Sequence, residues 1–583
     1  MVDLETVKLT IDNQQIEVPA GSTILDAAKK AGIDIPTLCY HPELDTKAMC
    51  RICLVEVEGA RALQTACSQP VTAGMVVRTN TPAVRETRKL NLELLLSNHP
   101  QDCLNCVRNQ NCELQTLSER LGVRSQRFAD TKPQRKAVDA STPSIVRDPA
   151  KCILCRRCVA VCHQVQGVGA LYAMNRGDKT VIAPACGAEL NNVACTLCGQ
   201  CIQVCPVGAI YEVDDTAEVW SVLADADKHV IVQVAPAIRV AIGEELGMAP
   251  GTISTGQLVA ALRRLGFAKV FDTDFSADLT IMEEGHELLQ RLQQQGKLPM
   301  ITSCSPGWIK YIEHFYPEYL DHLSTCKSPQ QMFGALAKTY YAEKSGIPAE
   351  KIVVVSIMPC TAKKFEAKRP EMQNHELPDV DIVLTTRELG RMLREAGVNF
   401  AALTEEQFDE PLGISTGAGV IFGASGGVME AALRTVYEVV TGSELEKVDF
   451  YQVRGLEGIK EATVDLDGTV VKVAVANGLA NAGKLMEQIK SGEAEYQFVE
   501  IMCCPGGCIG GGGQPIPTNT ATRQARIKAI YEADQGMQLR KSHQNPAVNQ
   551  LYEEFLGKPL GEKSHHLLHT HYTKRDKYAG ICD

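Results

Sequence analysis

The cysteines constrain the fold of this chain more than any other feature of the sequence. The chain has 583 residues and 23 cysteines, most of which stand in CxxC or CxxCxxC groups. A chain of this length can fold without disulfide staples, and thiols grouped in this way are typical of metal ligands. The sequence therefore predicts several domains that form around metal clusters in a reducing compartment.

The charge and the hydropathy pattern indicate where the protein works. No apolar run approaches the roughly 18 residues of a membrane-spanning helix, and the N-terminus lacks a basic segment followed by an apolar one. The net charge of −11 disfavours nucleic acid and anionic membranes as partners. We therefore expect a cytoplasmic protein that binds neither a membrane nor nucleic acid.

An internal repeat of the form CxxCxxCxxxC gives the strongest signal. Residues 152–162 read CILCRRCVAVC, and residues 195–205 read CTLCGQCIQVC with a proline directly after them. Two-cluster bacterial ferredoxins have this pattern, in which the fourth cysteine of each run binds the other cluster. Zinc is the alternative, but the duplication and the proline favour two 4Fe-4S clusters. The first predicted ligand set is Cys152, Cys155, Cys158 and Cys205, and the second is Cys162, Cys195, Cys198 and Cys201.

The first 80 residues are predicted to form a ferredoxin-like β-grasp domain. Apolar positions alternate in VKLTIDNQQIEV, a Pro-Ala-Gly turn follows, and STILDAAKKAG has helical periodicity. A CRIC pair with two outlying thiols suits a 2Fe-2S cluster, although zinc would use the same thiolates. The predicted ligands are Cys39, Cys50, Cys53 and Cys67.

The segment SNHPQDCLNCVRNQNC adds a histidine to a cysteine group. A lone histidine before a cysteine is a weak signal, but a CxxC pair and a further cysteine accompany this one. The group comprises His99, Cys103, Cys106 and Cys112. It resembles the 4Fe-4S site with one imidazole ligand of FeFe-hydrogenases and respiratory complex I, and the preceding 2Fe-2S set resembles a site of the same families. An imidazole in place of a thiolate makes the cluster less negative, which should raise its reduction potential.

Clusters in series indicate electron transport. Electron tunnelling falls steeply with distance, so a buried redox site needs closely spaced relays to reach an outside partner. The polar, Pro-containing stretch 124–146 is predicted to connect modules. The predicted division is a 2Fe-2S domain at 1–80, a His-ligated cluster domain at 81–140, a two-cluster ferredoxin-like domain at 141–215, and a catalytic domain with a C-terminal small-subunit-like segment at 216–583.

From about residue 229 apolar strands alternate with amphipathic helices, so the chain is predicted to be multidomain, with α+β modules before an α/β domain that has a largely parallel sheet. The strand VVVSIMP leads into Cys360, and QFVEIM leads into Cys503 and Cys504. Open α/β sheets place their sites at such strand ends. The glycine-rich GCIGGGG would let the backbone approach a bulky inorganic ligand. It has neither the P-loop lysine nor the GxGxxG of a Rossmann turn, so it does not predict a nucleotide site.

The loops TSCSPGW, MPCTAKKFE and CCPGGCIGGGGQP resemble the three signature motifs of FeFe-hydrogenases. The resemblance covers essentially the whole chain and is greatest to the hydrogenase subunit of NADP-reducing or electron-bifurcating complexes. It implies an H-cluster, a 4Fe-4S cubane joined through a cysteine thiolate to a two-iron unit that carries CO, cyanide and a bridging azadithiolate. The implied cubane ligands are Cys360, Cys504 and Cys508, of which Cys508 bridges to the two-iron unit.

The same resemblance assigns roles to residues around the cluster. Lys363 should donate a hydrogen bond to a cyanide, as a compact cation beside an anionic ligand would. Pro236 and Ala237 match the family's loop of backbone donors. Met358 and Met502 should pack against the two-iron unit.

The implied reaction is the reversible oxidation of H2 to protons and electrons. The resemblance implies a proton path through Glu284, Ser324 and Glu287, and a helix would place the two carboxylates on one face. Solvated helix carboxylates are the alternative. Because the chain has no flavin or nicotinamide fingerprint, we expect flavin- and iron-sulfur-containing partner subunits to handle NAD(P), with ferredoxin as a further candidate partner.

The first motif departs from the common family form. That form has two adjacent cysteines, a proton donor followed by a cubane ligand, whereas this chain has Cys304 and Ser305. We predict that Cys304 is the fourth cubane ligand, because a serine hydroxyl replaces a thiolate poorly, and that Cys503 supplies the relay thiol. In two alternatives Cys304 remains the proton donor, and either Ser305 or Cys503 takes the fourth cubane position.

Two other classes of function compete with this one. A hydrogenase-like iron-sulfur assembly or scaffold protein would keep the cubane without a two-iron unit, but the full set of N-terminal clusters disfavours it. A sensory protein would need an appended signalling domain, which the sequence does not indicate. The segment HHLLHTHY at residues 565–572 is interpreted as a surface segment, and Cys186, Cys326 and Cys582 as packing or surface thiols.

Overall fold

The fold is described from a computed structural model of the chain. The described residues are 5–125, 127–128, 137–445, 447–466 and 468–579, so Cys582 and part of the predicted linker lie outside them. Within these ranges, no helix combines the length and the apolar character that crossing a membrane requires.

The N-terminal module is a five-stranded sheet with one helix. Its elements are β1 (Thr6–Ile11), β2 (Gln14–Pro19), α1 (Ile24–Lys30), β3 (Leu54–Val57), β4 (Gln64–Thr65) and β5 (Val76–Arg78). The order across the sheet is β2-β1-β5-β3-β4, in which β1 and β5 are parallel and the other neighbours are antiparallel. Thr23 begins α1 as a capping residue, since its hydroxyl accepts a hydrogen bond from the backbone of Asp26.

Two helices and a small unit of short strands follow. The elements are α2 (Pro82–Ser97), α3 (Glu113–Arg120), β6 (Ile145–Arg147), α4 (Arg157–Gln164), β7 (Tyr172–Met174), β8 (Val181–Ala183), α5 (Gln200–Gln203) and β9 (Ile210–Glu212). The pairs β6–β9 and β7–β8 are antiparallel. The described end of the stretch that was predicted to connect modules belongs to this unit, because Asp139 pairs with Arg147 and Ile145 is buried.

The remaining residues form the large domain, which contains two four-stranded sheets rather than one. The elements up to residue 345 are α6 (Thr216–Ala224), β10 (His229–Val234), α7 (Ile242–Glu245), α8 (Thr255–Leu265), β11 (Lys269–Asp272), α9 (Thr273–Gln293), β12 (Met300–Ile301), α10 (Pro306–Phe315), α11 (Pro329–Leu336) and α12 (Ala342–Ser345). The later elements are β13 (Ile352–Met358), α13 (Ala362–Glu366), β14 (Gln373–Asn374), β15 (Leu377–Pro378), β16 (Ile382–Thr385), α14 (Thr386–Glu395), α15 (Gly417–Val420), α16 (Gly427–Thr441), β17 (Ile459–Leu466), β18 (Thr469–Asn477), α17 (Leu479–Ser491), β19 (Phe498–Met502), α18 (Thr520–Gln535), α19 (Pro546–Leu551) and α20 (Glu562–Leu568).

The first sheet has the order β11-β10-β13-β16 and is parallel throughout. The second has the order β12-β19-β18-β17, in which β12 and β18 run parallel to β19 and only β17 is antiparallel. The central strand β13, IVVVSIM, is buried at every position. Continuous apolar runs of this kind occur where both faces of a parallel sheet are covered.

A buried arginine joins the three N-terminal modules. The guanidinium of Arg157, at the start of α4, donates to the Tyr40 carbonyl at 2.8 Å and to the Glu113 carboxylate at 2.6 Å. A guanidinium binds a carboxylate in a defined fork geometry. The contact therefore sets the orientation of the modules that carry the cysteine groups.

The glycine-rich segment 510–513 joins the small unit to the large domain. The amide Nε2 atoms of Gln200 and Gln203 donate to the carbonyls of Gly510 and Gly511 at 2.9 and 3.0 Å. A Cβ on Gly511 would lie 2.1 Å from the Pro359 carbonyl oxygen, and a Cβ on Gly512 would lie 2.2 Å from that of Cys198. These glycines were expected to make room for an inorganic ligand, and the structure shows that they also make room for two neighbouring backbone segments.

We predict that Gly512→Ala lowers the midpoint of thermal unfolding of the cluster-loaded protein. Overpacking typically costs about 1–3 kcal/mol, and a backbone carbonyl at this distance cannot turn away as a side chain can. The matched control is Gly536→Ala after α18, where the nearest atoms to a new Cβ are 3.6 Å away. Equal unfolding midpoints for the two variants, measured anaerobically, would contradict this packing.

Candidate functional site

The repeated cysteine runs surround two separate cavities. Cys152, Cys155, Cys158 and Cys205 all line the first, which has about 420 Å³ of atom-free space with its open mouth included. Cys162, Cys195, Cys198 and Cys201 all line the second, with about 390 Å³. The structure thus groups the thiols in the crossed pattern that the sequence predicts. Burial, and then the negative charge of neighbouring thiolates, raises the pKa of Cys158 and Cys201 well above its ordinary value, so cations are needed to hold these sets as thiolates.

The four thiols of the N-terminal module also lie together. The sulfurs of Cys53 and Cys67 are 3.3 Å apart, and the backbone N–H groups of Met49 and Cys50 point at the Cys39 sulfur from 3.3 and 3.5 Å. Backbone N–H groups directed at sulfur favour the thiolate and tune a bound cluster.

The histidine-containing group is more open. His99, Cys103 and Cys112 line one shallow cavity, whereas the Cys106 sulfur points towards Gly208. Burial lowers the pKa of His99, which keeps the imidazole neutral, and its Nδ1 atom has no hydrogen-bond partner among the described residues. A neutral imidazole with an unpartnered nitrogen is suited to a metal ligand.

The three signature loops of the large domain converge on one cavity. Cys304 follows β12, Cys360 follows β13, and Cys504 and Cys508 follow β19, so strands of both sheets deliver the loops to the same place. The cavity holds about 690 Å³ of atom-free space with its mouth included. Burial and the charges of Cys504 and Cys508 raise the pKa of Cys360 well above its ordinary value.

Other predicted site residues also line this cavity. Pro236, Met358, Lys363 and Met502 lie in its wall. The Lys363 ammonium donates to the Cys304 carbonyl at 3.1 Å and to Glu366 at 2.8 Å. Ala237 is not among the lining residues, although it follows Pro236 directly and is fully buried. The wall therefore combines apolar surface with one fixed cation.

The two thiols whose roles the sequence left open line the same cavity but have different neighbours. Cys304 is half-buried, and its charged neighbours include Glu284, Lys363 and Glu500. Cys503 is 3% exposed, its thiol lies beside those of Cys198 and Cys504, and its sulfur is 3.8 Å from Gln166 Oε1.

Glu284, Ser324 and Glu287 form a continuous chain behind Cys304. Both carboxylates lie on one side of α9, and the Ser324 hydroxyl contacts both, at 3.0 Å in the case of Glu287. Burial, and then the charge of Glu287, raises the pKa of Glu284 to about 8. Glu284 is therefore a neutral carboxylic acid near pH 7 and can both give and accept a proton.

Sequence reasoning missed further members of this network. Arg291 donates to Glu287 at 2.6 Å, and the Thr325 hydroxyl links Glu287 to His569 Nδ1, with separations of 3.2 and 2.8 Å. His569 Nε2 lies 3.1 Å from a carboxylate oxygen of Glu283. The only sequence signal for Arg291 was its spacing of four residues from Glu287 on α9.

The interpretation of HHLLHTHY as a surface segment was wrong in part. Leu567, Leu568 and His569 are buried, because α20 packs against the core of the first sheet, whereas His566 and His571 are exposed. Cys326 is fully buried next to Glu287 and His569, as the packing interpretation expects, and Cys186 is exposed.

Family models match almost every part of the chain. The description "Iron only hydrogenase large subunit, C-terminal domain" matches residues 228–512, and "Iron hydrogenase small subunit" matches residues 520–575. A 2Fe-2S iron-sulfur cluster binding domain matches residues 5–82. The iron-sulfur binding region of NADH-ubiquinone oxidoreductase G matches residues 88–127, and the ferredoxin-like domain of NADH-quinone oxidoreductase subunit 3 matches residues 142–211.

Individual proteins are similar over all or most of the chain. The NADP-reducing hydrogenase subunit HndD of Solidesulfovibrio fructosivorans is 54% identical, over 98% of this chain and 100% of its own. Iron hydrogenase 1 of Clostridium pasteurianum is 42% identical, over 97% and 100%. The structure of an apo [FeFe]-hydrogenase HydA1 variant from Chlamydomonas reinhardtii is 48% identical and covers 62% of this chain and all of its own, with a TM-score of 0.57.

These matches agree with the convergence of the three signature loops on one cavity. The chain is of mixed α/β architecture and contains 2Fe-2S and 4Fe-4S ferredoxin-like modules before a hydrogenase catalytic domain. It belongs to the FeFe-hydrogenase family.

Proposed function

We propose that this chain is the catalytic subunit of a multisubunit hydrogenase, which oxidises H2 reversibly and relays the electrons to NAD(P)-linked flavoprotein subunits. The observation that carries the proposal is the single cavity into which three distant loops direct cysteines and Lys363, beside a buried carboxylate chain. Near-complete coverage of HndD supports the same function.

The donor set of the cavity fits an H-cluster. Cys360, Cys504 and Cys508 are thiols in a mostly apolar wall, where several adjacent thiolates are stable only beside a bound cation. Lys363 would face an anionic ligand, while Met358 and Met502 exclude water. When bound, the H-cluster supplies the reversible splitting of H2 into protons and electrons.

The proton route is built from side chains alone. Cys304 lies at the cavity end nearest Glu284, and Glu284 connects through Ser324 to Glu287. Arg291 fixes the outer carboxylate. The steps from Glu284 through Ser324 to Glu287 each span one hydrogen bond, which is what proton transfer through a water-poor interior requires.

The proposed electron route leaves the cavity through residues other than those of the proton route. Cys198, in the second ferredoxin-like cavity, contacts Cys503 next to Cys504. We propose one 2Fe-2S cluster, three 4Fe-4S clusters of which one has His99 as a ligand, and the H-cluster. The proposed ligand sets are those that the sequence predicts for the first four clusters.

The domain division at 1–80, 81–140, 141–215 and 216–583 is part of the same proposal, and the ranges of the matching family models support it. The sheet order β2-β1-β5-β3-β4 with α1 supports a β-grasp fold for the first domain. The last domain takes in the segment that matches the small subunit of iron hydrogenases.

The proposed partners are flavin- and iron-sulfur-containing subunits that handle NAD(P), and ferredoxin is a further candidate. The relative HndD is named as one subunit of an NADP-reducing hydrogenase, which supports an assembly of several chains. We place the complex in the cytoplasm, where such nucleotides are available. A cluster scaffold without a two-iron unit is not favoured, because two relatives that match this chain over nearly its full length are hydrogenases.

Anaerobically matured protein should evolve H2 from a reduced artificial dye, and Glu284→Gln should slow this turnover about 100-fold or more. An amide cannot relay a proton as a carboxyl group does. The infrared spectrum of the H-cluster serves as the control and should not change. A wild-type chain that evolves no H2 would contradict the function, and a fast Glu284→Gln variant would remove only Glu284 from the path.

The protonation of Glu284 should be visible directly. The infrared carbonyl band of its neutral acid should disappear as the pH rises, with a midpoint near the pKa of about 8. Glu287→Gln should move the midpoint to lower pH, because the charge of Glu287 raises the pKa of Glu284. A midpoint near the ordinary glutamate value, or no shift in Glu287→Gln, would contradict the assignment.

Removing the 2Fe-2S cluster of the N-terminal module should separate NAD(P)-coupled H2 evolution from dye-driven H2 evolution. Cys53→Ala deletes one thiol of the Cys53–Cys67 pair, so NAD(P)-coupled H2 evolution by the assembled complex should be lost while dye-driven H2 evolution remains. Cys186→Ala, at an exposed cysteine outside the proposed ligand sets, is the matched control. Unimpaired NAD(P) coupling in Cys53→Ala would show that electrons enter elsewhere.

A further inference from the structure

One ligand position of the cubane is unfilled by the three thiols Cys360, Cys504 and Cys508. The family's usual position for the fourth thiol is occupied by Ser305. Two cysteines, Cys304 and Cys503, line the same cavity and could replace it. Their surroundings differ, and the difference decides between them.

Cys304 belongs to the proton-transfer end of the cavity. Its carbonyl accepts a hydrogen bond from Lys363 at 3.1 Å, and the charged side chains that act on its thiol are Glu284, Lys363 and Glu500. Among the thiols of the described residues, Cys508, the proposed bridge to the two-iron unit, acts most strongly on it. Cys360, in contrast, has two of the proposed cubane thiols as neighbours, Cys504 and Cys508.

Cys503 lies in the corner that Ser305 occupies. Its backbone N–H donates to the Ser305 hydroxyl oxygen at 3.2 Å, and its thiol contacts the Cys504 thiol. Cys503 and Cys504 follow β19 in a bend, where the strict alternation of strand side chains no longer applies. Two adjacent cysteines can therefore face the same cavity.

A buried amide beside Cys503 provides a second observation. Gln166 is 1% exposed, its Oε1 atom lies 3.8 Å from the Cys503 sulfur, and its Nε2 atom has no hydrogen-bond partner among the described residues. Oxygen and nitrogen of a glutamine amide exchange places by a simple flip. As the structure stands, the Cys503 thiol donates to Oε1; a metal-bound thiolate can only accept, and the flipped amide would then direct an N–H donor at the Cys503 sulfur.

We propose that Cys503 supplies the fourth cubane thiolate in place of Ser305, and that Cys304 remains the thiol that faces Glu284. This assignment rests on the proposed function and reverses the two roles that the sequence alone predicted. It also brings a ligand of the H-cluster cubane into contact with Cys198, a proposed ligand of the adjacent cluster. An electron would then pass between neighbouring ligand shells with no bond made or broken.

The test uses the full chain produced without maturation, which should hold its cubanes but no two-iron unit. Cys503→Ala should lose one cubane, or about four irons per chain, whereas Cys304→Ala and Ser305→Ala should keep the wild-type iron and sulfide content. An unchanged 2Fe-2S paramagnetic signal in each variant shows that the chain has folded.

A double variant removes the remaining ambiguity. Ser305→Cys combined with Cys503→Ala returns a thiol to the usual family position, so it should recover the lost irons, which a merely structural role of Cys503 would not allow. Loading Cys304→Ala with the two-iron unit should give the CO and cyanide infrared bands without fast turnover.

Other outcomes overturn the assignment and name the ligand. If Cys304→Ala loses one cubane while Cys503→Ala keeps its full iron content, Cys304 is the fourth cubane ligand. If Ser305→Ala loses one cubane, the serine oxygen is the fourth ligand. In both cases wild-type protein still acquires an H-cluster, so only this inference fails. Wild-type protein that lacks the cubane before maturation and the CO bands after it would contradict the proposed function itself.

Discussion

The close contact between the glycine-rich segment 510–513 and two other backbone segments holds the catalytic site together. Gly511 packs against the carbonyl of Pro359, directly before Cys360, and Gly512 packs against that of Cys198. Any side chain at these positions would push the loops apart. The contact therefore places a loop from each sheet and a loop of the ferredoxin-like unit around neighbouring cavities. Both the assembly of the cubane ligands and their closeness to the next cluster depend on it.

The electrostatics divide the catalytic cavity into two ends. At one end a buried, neutral Glu284 continues through Ser324 to Glu287 and Arg291, so protons have a chain of hydrogen bonds. At the other end thiols with a strongly raised pKa crowd together, a condition that bound iron relieves. Protons and electrons thus have separate exits. Because the thiol sets need their metal, we expect cluster loading and folding to be coupled.

Much of this organisation could be predicted from local sequence. Cysteine spacing is short-range, so the crossed grouping around Cys158 and Cys201 follows from the two runs and is what the structure shows. The strands β13 and β19 were also recognisable, because their continuous apolar runs end directly at cysteine loops. The family resemblance then supplied the roles of Glu284 and Lys363, and the comparisons confirm the family.

Features that depend on tertiary packing could not be predicted. The separation into two sheets arises because β12 pairs with β19, nearly two hundred residues later in the chain. His569 joins the carboxylate network only because α20 folds back onto the core, which no local pattern reveals. The positions of Cys304 and Cys503 depend on how two loops meet, which adjacency in the sequence does not reveal.

The central claim is that the three converging loops hold a complete H-cluster. Infrared spectroscopy of anaerobically matured wild-type protein tests it most directly, because iron-bound CO and cyanide absorb where protein does not. The account predicts intrinsic CO and cyanide bands that shift when H2 is added. Protein with intact N-terminal clusters but without these bands after maturation would contradict it.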